Sequence, residues 1–254
     1  MGKTTGVKAL KSEFGEALVY HSADLPSPPD ADWITQKWQE ARAKTGRVIL
    51  VLDEVQKVHR WSEVVKLLFD EDRHRPEFSV VILGSASLLM QDGLTESLLG
   101  RFELIKVPHW TFAEHEIAFG WNLHQFLQFG GYPAPTALIG DVERWQSFMR
   151  DAVLEPMISK DLLALRRVSK VALLRQTISL ALTHPSQELS FNKMLGQLND
   201  AGNTVTIKSY LQLLESAFII KLLYKFFTRV ISTRSSSPKI THLLQPSSIL
   251  TNHQ

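Results

Sequence analysis

The stretch RVILVLDE, Arg47–Glu54, carries five consecutive apolar residues, 48–52, and stops at two adjacent carboxylates. A run this short and this apolar is the pattern of a strand buried on both faces, as in a parallel sheet covered by helices. Asp53 and Glu54 then fall at its carboxyl tip, the edge of an open α/β sheet where ligands gather. An isolated Asp-Glu pair at such a tip also serves to cap the next helix, so the neighbouring segments decide between the two readings.

Working outward, ALVY (17–20), SVVIL (79–83) and FELIKV (102–107) repeat the short apolar pattern. Between them DWITQKWQEARAK (32–44) and WSEVVKLLFDED (61–72) space their apolar residues as amphipathic helices do. Strand and helix alternate, which predicts a parallel α/β sheet with flanking helices. Beyond Leu123 the pattern changes to successive helices after the turn cluster FGGYP (129–133). LSFNKMLGQLND (189–200) and TVTIKSYLQLLESA (204–217) form a pair across a short Gly-containing turn, and the strand-like FIIKLLYKF (218–226) follows, the order of a winged helix-turn-helix. The expected division is therefore 1–122 for the α/β domain, 123–227 for a helical lid and winged-helix-like region, and 228–254 for a Ser- and Pro-containing tail.

The chain of 254 residues has a net charge of +2, no cysteine and 21% charged residues. Disulfides, thiolate metal sites and cysteine nucleophiles are excluded, and the overall charge requires neither nucleic acid nor an acidic membrane. No apolar run approaches a membrane span and no basic-then-apolar leader opens the chain, so a cytoplasmic protein without membrane partners is expected. The nine histidines lack any metal-ligand spacing, and His115, between two glutamates in FAEHEIAF, is expected on a polar helix face.

GKTT (2–5) supplies the second carrier of chemistry. It reads as the end of a phosphate-binding loop, G-x-x-x-x-G-K-[ST], whose glycine and amide groups surround phosphate while the lysine and hydroxyl meet the terminal phosphates and Mg²⁺. The pairing of this segment with a carboxylate-tipped strand changes the balance for Asp53 and Glu54 from capping toward catalysis. Phosphoryl transfer needs one carboxylate to hold Mg²⁺ through its waters and another to orient or deprotonate water. Ser85, just past SVVIL, stands where it can either sense a γ-phosphate or cap a helix, and Arg101 in LLGRFE can either reach a γ-phosphate or form a salt bridge.

GKTT, VILVLDEVQKV, VVILGSASLLM, ESLLGRFELIKVP, TFAEHEIAF, FGGYP, DLLAL, TVTIKSYLQLLESAFIIKLL and RSSSPKI, in that order, resemble the AAA-type (AAA+) P-loop ATPases of bacteria and archaea that carry a C-terminal domain of unknown function. The resemblance runs from Met1 to about Ile240. It implies a P-loop NTPase sheet with ATP and Mg²⁺ as cofactors. Gly2, Lys3, Thr4, Thr5 and Asp53 would contact nucleotide, Thr4 and Asp53 the Mg²⁺, and Glu54, Ser85 and Arg101 would be catalytic or sensing residues. The family's first strand and the start of its loop precede GKTT, so with respect to that pattern the chain reads as truncated at both ends, and impaired ATP binding and hydrolysis are expected.

The alternative is a nucleotide-independent module that binds DNA or protein through the winged helix. Thr204, Thr206, Lys208 and Ser209 would open its second helix, with Arg166, Arg167, Lys170 and Arg175, and Lys221, Lys225, Arg229, Arg234 and Lys239, as basic clusters nearby in sequence. A single cation in the presenting helix favours a protein partner over DNA. Assembly of several copies into a homo-oligomer that completes a shared site is compatible with either reading.

Overall fold

The computed structural model describes residues 2–84, 98–162, 170–184, 186–188, 190–198, 203–225 and 237–243. They fall into two compact units, Gly2–Val107 and Pro108 onward.

The first unit is a parallel three-stranded sheet in the order β1 (Leu18–Ser22), β2 (Val48–Asp53), β3 (Phe78–Ile82). Leu18 to Ser22 pair with Ile49 to Asp53, and Val48 to Leu52 pair with Phe78 to Ile82. Every residue of β2 is buried, which is why its sequence shows no polar alternation.

Its two faces are covered differently. Toward one, Val48, Leu50 and Leu52 pack with Ile34, Trp38 and Ala41 of α2 (Ala31–Arg42) and with Trp61, Val65 and Leu68 of α3 (Trp61–Glu71). Both helices bury residues spaced i, i+4, i+7, one apolar stripe each. Asp30 caps α2 by accepting from the Trp33 amide at 3.3 Å. Toward the other face, Leu18, Ile49 and Val51 pack with Tyr20, Phe14 and Val7, the last from α1 (Lys3–Ala9).

Residues 102–107, expected as a fourth strand, form none: they run as irregular chain with Phe102, Leu104 and Ile105 exposed. A strand exists only through a ladder with a neighbour, and none of the three described strands of this sheet pairs with the segment. Apolar content alone therefore misled the sequence reading here.

The second unit opens with α4 (Phe112–Phe119) and α5 (Leu123–Phe129), each started by a reciprocal capping box, Thr111 with Glu114 and Asn122 with Gln125. His115, expected on a polar face, is fully buried instead. Its ring lies among Trp110, Phe119, Trp121 and Phe126, and its Nδ1 is 3.1 Å from the Thr111 carbonyl. The two glutamates that flank it point away because adjacent helix positions lie about 100° apart around the axis.

α6 (Val142–Ser147) continues through π-helical turns, Phe148–Leu154 and Met157–Leu162. α7 (Val171–Thr183) packs on α9 (Thr204–Ser216), which also meets α8 (Phe191–Gly196). β4 (Ile220–Leu223) and β5 (Lys239–His242) then pair antiparallel. β5 falls in the stretch expected as a tail, and its Ile240 is buried.

Candidate functional site

Asp53 is the centre of the site. It is the last residue of β2, is 3% exposed, and its carboxylate accepts three hydrogen bonds. Oδ2 receives the Thr4 hydroxyl at 2.7 Å and the Tyr20 hydroxyl at 2.6 Å, and Oδ1 receives the Glu54 amide at 2.9 Å. A buried carboxylate so supplied is held in one orientation.

The strand tip is clamped from both sides. The Ala23 amide donates to the Asp53 carbonyl at 2.9 Å on the β1 side, and the Val55 amide to the Leu83 carbonyl at 3.3 Å on the β3 side. Between these anchors Glu54 takes a left-handed conformation, φ 53°, ψ 33°. That region is uncommon for a residue with a Cβ and costs on the order of 1 kcal/mol or more, the kind of local strain that collects at functional sites. The turn brings the Glu54 side chain against Gln56, whose Nε2 donates to Oε2 at 2.7 Å.

From the other direction comes α1. Gly2 precedes it with φ 75°, ψ 10°, a conformation open to glycine, and its carbonyl accepts the Gly6 amide at 2.7 Å. Thr4, Val7 and Lys8 share the inward face by their i, i+3, i+4 spacing. Val7 packs on the sheet, Thr4 reaches Asp53, and Lys8 Nζ lies 4.8 Å from the centre of the Tyr20 ring. Lys3 opens the same helix and is partly buried, while Thr5 is exposed.

Of the residues singled out in the sequence, Thr4, Asp53 and Glu54 are thus brought together, with Gly2 and Lys3 at the start of the contacting helix. Ser85 lies outside the described residues. Arg101 is not part of this cluster: its Nε and Nη2 donate to Asp70 Oδ1 and Oδ2 at 2.8 and 3.1 Å. Asp70 sits at the end of α3, the helix that leaves the tip of β2 and returns to the start of β3, so this pair marks the opposite edge of the sheet. The ion pair holds the Asp70 carboxyl below its ordinary range.

Tyr20 and Gln56 were missed. Strand register was the available signal for Tyr20. Because Ser22 pairs with Asp53 and Tyr20 with Val51, Tyr20 and Asp53 are diagonal neighbours on one face. Burial and the adjacent Asp53 push the Tyr20 phenol up to about 12, so it stays a proton donor.

The donor set fits Mg²⁺ delivered with a nucleotide better than a resident metal. No group of three or more His, Cys, Asp or Glu among the described residues could hold an ion by itself. Thr4 spends its proton on Asp53, which leaves the lone pairs of its oxygen to face a cation, and Asp53, with acceptor capacity left on Oδ1 beside the Glu54 amide, suits contact through ordered water.

A parallel sheet whose carboxylate-tipped central strand meets the first turn of a Gly-Lys-Thr helix defines an α/β domain of the P-loop type. Residues 1–116 match the family described as AAA domain, and residues 120–243 match a Domain of unknown function (DUF8612). Together they run almost the length of the described chain, an AAA domain followed by a domain of unknown function. Its first part is accordingly an AAA-type nucleotide-binding domain.

An uncharacterized protein of Mycobacterium tuberculosis and one of Mycobacterium bovis are each 27% identical to it over 240 residues, covering 94% of this chain and 51% of the relative. The chain spans about half the length of these curated relatives. Among solved structures, the Walker-type ATPase of Pyrococcus abyssi matches 95% of this chain and 74% of its own with a TM-score of 0.50 at 15% identity, a likeness of fold. No helix among the described residues is long and apolar enough to cross a membrane.

Proposed function

We propose that the first unit binds ATP with Mg²⁺ at the carboxyl tip of β2 and hydrolyses it to ADP and phosphate. The observation that carries this reading is the hydrogen bond from Thr4 to Asp53, because it joins the Gly-Lys-Thr helix to the acidic strand tip. Lys3, at the first position of that helix, offsets charge on the terminal phosphates. Thr4, by its oxygen, and Asp53, through water, would hold the cation. Glu54, aimed by its left-handed backbone and by Gln56, takes a proton from the attacking water as that oxygen bonds to the γ-phosphorus and the bond to ADP breaks. Mg²⁺, when bound, supplies Lewis-acid polarisation of the phosphoryl oxygens.

In this proposal Ser85 is the sensor that follows β3. Arg101, held by Asp70 at the far edge, would act on the phosphate of a neighbouring copy in a homo-oligomer rather than on its own. The region from residue 123 would serve as a lid and a winged-helix-like module. Its element order, α8, α9, β4, β5, favours a secondary role in docking a partner. Arg175, Lys221 and Lys225 are each paired with a carboxylate, Glu155, Glu215 and Glu188, which leaves less positive charge for DNA phosphates and favours a protein.

The test is a titration with a fluorescent ATP analogue, with and without Mg²⁺, beside an assay of phosphate release. Mg²⁺-dependent binding and turnover are expected, with Glu54→Gln binding as before but losing about 10²-fold or more in turnover. Binding that ignores both Mg²⁺ and Asp53→Ala would reject the proposal.

A further inference from the structure

Two hydroxyl groups converge on one oxygen of Asp53, and they come from different supports. Thr4 belongs to the helix that must itself meet nucleotide and cation. Tyr20 belongs to β1, which is tied to β2 along its whole length. The Tyr20 ring packs against the cluster of Leu18, Ile49 and Val51, which Val7 also covers, and lies beneath the Lys8 ammonium, so its hydroxyl has little freedom to leave Oδ2.

We propose that Tyr20 is a positioning residue for the Mg²⁺·ATP site, holding the Asp53 carboxylate from the strand side so that it is ready for the cation whether or not α1 is engaged. This rests on the reading of the site as one for Mg²⁺ and ATP. With the Tyr20 hydroxyl absent, Oδ2 is held by Thr4 alone and the carboxylate gains a rotational freedom that cation binding must then remove.

Tyr20→Phe tests it, since the ring, its packing and the Lys8 contact remain and only the donor is lost. The measurement is the Mg²⁺ concentration giving half-maximal binding of a fluorescent ATP analogue, with Mn²⁺ binding followed by electron paramagnetic resonance as a second readout. The Mg²⁺ midpoint should rise by about tenfold, in line with the usual effect of removing a partner of a metal-site residue. Nucleotide affinity without Mg²⁺ should stay as in the wild type, while the thermal midpoint should fall as in Thr4→Val, since each variant takes one donor from the same buried oxygen. In an Asp53→Ala background, which has no side-chain oxygen to accept from Tyr20, the same substitution should leave the Mg²⁺ midpoint where it is, because Tyr20 acts only through that carboxylate.

An unchanged Mg²⁺ midpoint in Tyr20→Phe, with the wild type showing Mg²⁺-dependent binding, overturns the role of Tyr20 and leaves the site reading standing. Equal weakening with and without Mg²⁺ assigns Tyr20 a purely structural part and overturns it too. A wild type whose binding ignores Mg²⁺ removes the site reading itself and this inference with it.

Discussion

Thr4 and Asp53 stand 49 positions apart in the chain and 2.7 Å apart in the fold, a hydroxyl donating to a carboxylate oxygen that water hardly reaches. Removing the donor leaves a buried acceptor short of a partner, which costs about 1–3 kcal/mol. Thr4→Val, nearly the same shape, should lower stability to urea by that amount and abolish the Mg²⁺ dependence of nucleotide binding. Thr4→Ser should preserve both. Equal behaviour of the two variants would show that the hydroxyl carries neither role.

How much of this could be read from residues alone depended on whether the cause was local. β2 was legible because a strand buried on both faces must be apolar throughout, and α2 and α3 were legible from one apolar stripe each. The approach of GKTT to Asp53 followed from the order of motifs. Residues 102–107 and His115 were misread for a shared reason: a strand needs a partner and a helix face needs a neighbour, and neither is encoded within the segment. Tyr20 required the register of β1 on β2, which no single stretch contains.

Asp72 is the polar anchor beneath the helices of the first unit. It accepts from Trp38 Nε1 at 2.6 Å and from Arg42 Nε at 2.8 Å, while Arg42 also reaches Glu71. Burial pushes its carboxyl up, but the Trp38 and Arg42 donors outweigh that and leave it below the ordinary range. Asp72→Ala should cost about 2–3 kcal/mol, the scale of hydrogen bonds to a charged group that is largely shielded. The contribution is complete above the unfolded value of about 3.9 and disappears as pH falls through the lower folded value. Urea midpoints taken from about pH 6 down to about pH 2 should fall less steeply in the variant, and parallel curves would refute the assignment.

Two histidines of the second unit set a different pH window. Nε2 of His109 meets the Phe218 carbonyl and Nε2 of His242 the Ala181 carbonyl, both at 2.8 Å, so each imidazole donates from that nitrogen. Burial lowers both below the ordinary histidine value of 6.5. Among the described residues the buried His109 Nδ1 has no partner, and a proton there would be an unsatisfied donor on a charged ring. The unfolded chain therefore binds more protons than the folded one below about pH 6.5, and stability must drop as pH falls through that point toward the lowered folded values. His109→Gln, whose amide nitrogen can replace Nε2, should flatten part of this slope. A thermal midpoint that varies with pH equally in both proteins would count against His109.

Gly130 and Gly131 in FGGYP serve packing in the second unit. Gly130 has φ 75° and ψ −173°, a conformation nearly closed to any residue with a Cβ. At Gly131 a Cβ would stand 2.3 Å from the Trp110 carbonyl oxygen and 3.1 Å from His109 Cβ. The first of these neighbours is backbone, and it is held there because the Trp110 amide donates to the Gly131 carbonyl at 2.9 Å. A side chain can swing aside, but this carbonyl cannot move without breaking that bond and shifting the entry to α4. Gly131→Ala and Gly130→Ala should each therefore destabilise the protein by about 2–3 kcal/mol. Gly140 has open space where a Cβ would go, so Gly140→Ala should change stability by no more than about 0.5 kcal/mol. Urea denaturation of the three variants side by side checks this, and a Gly131→Ala midpoint equal to that of Gly140→Ala would rule out the close approach to Trp110.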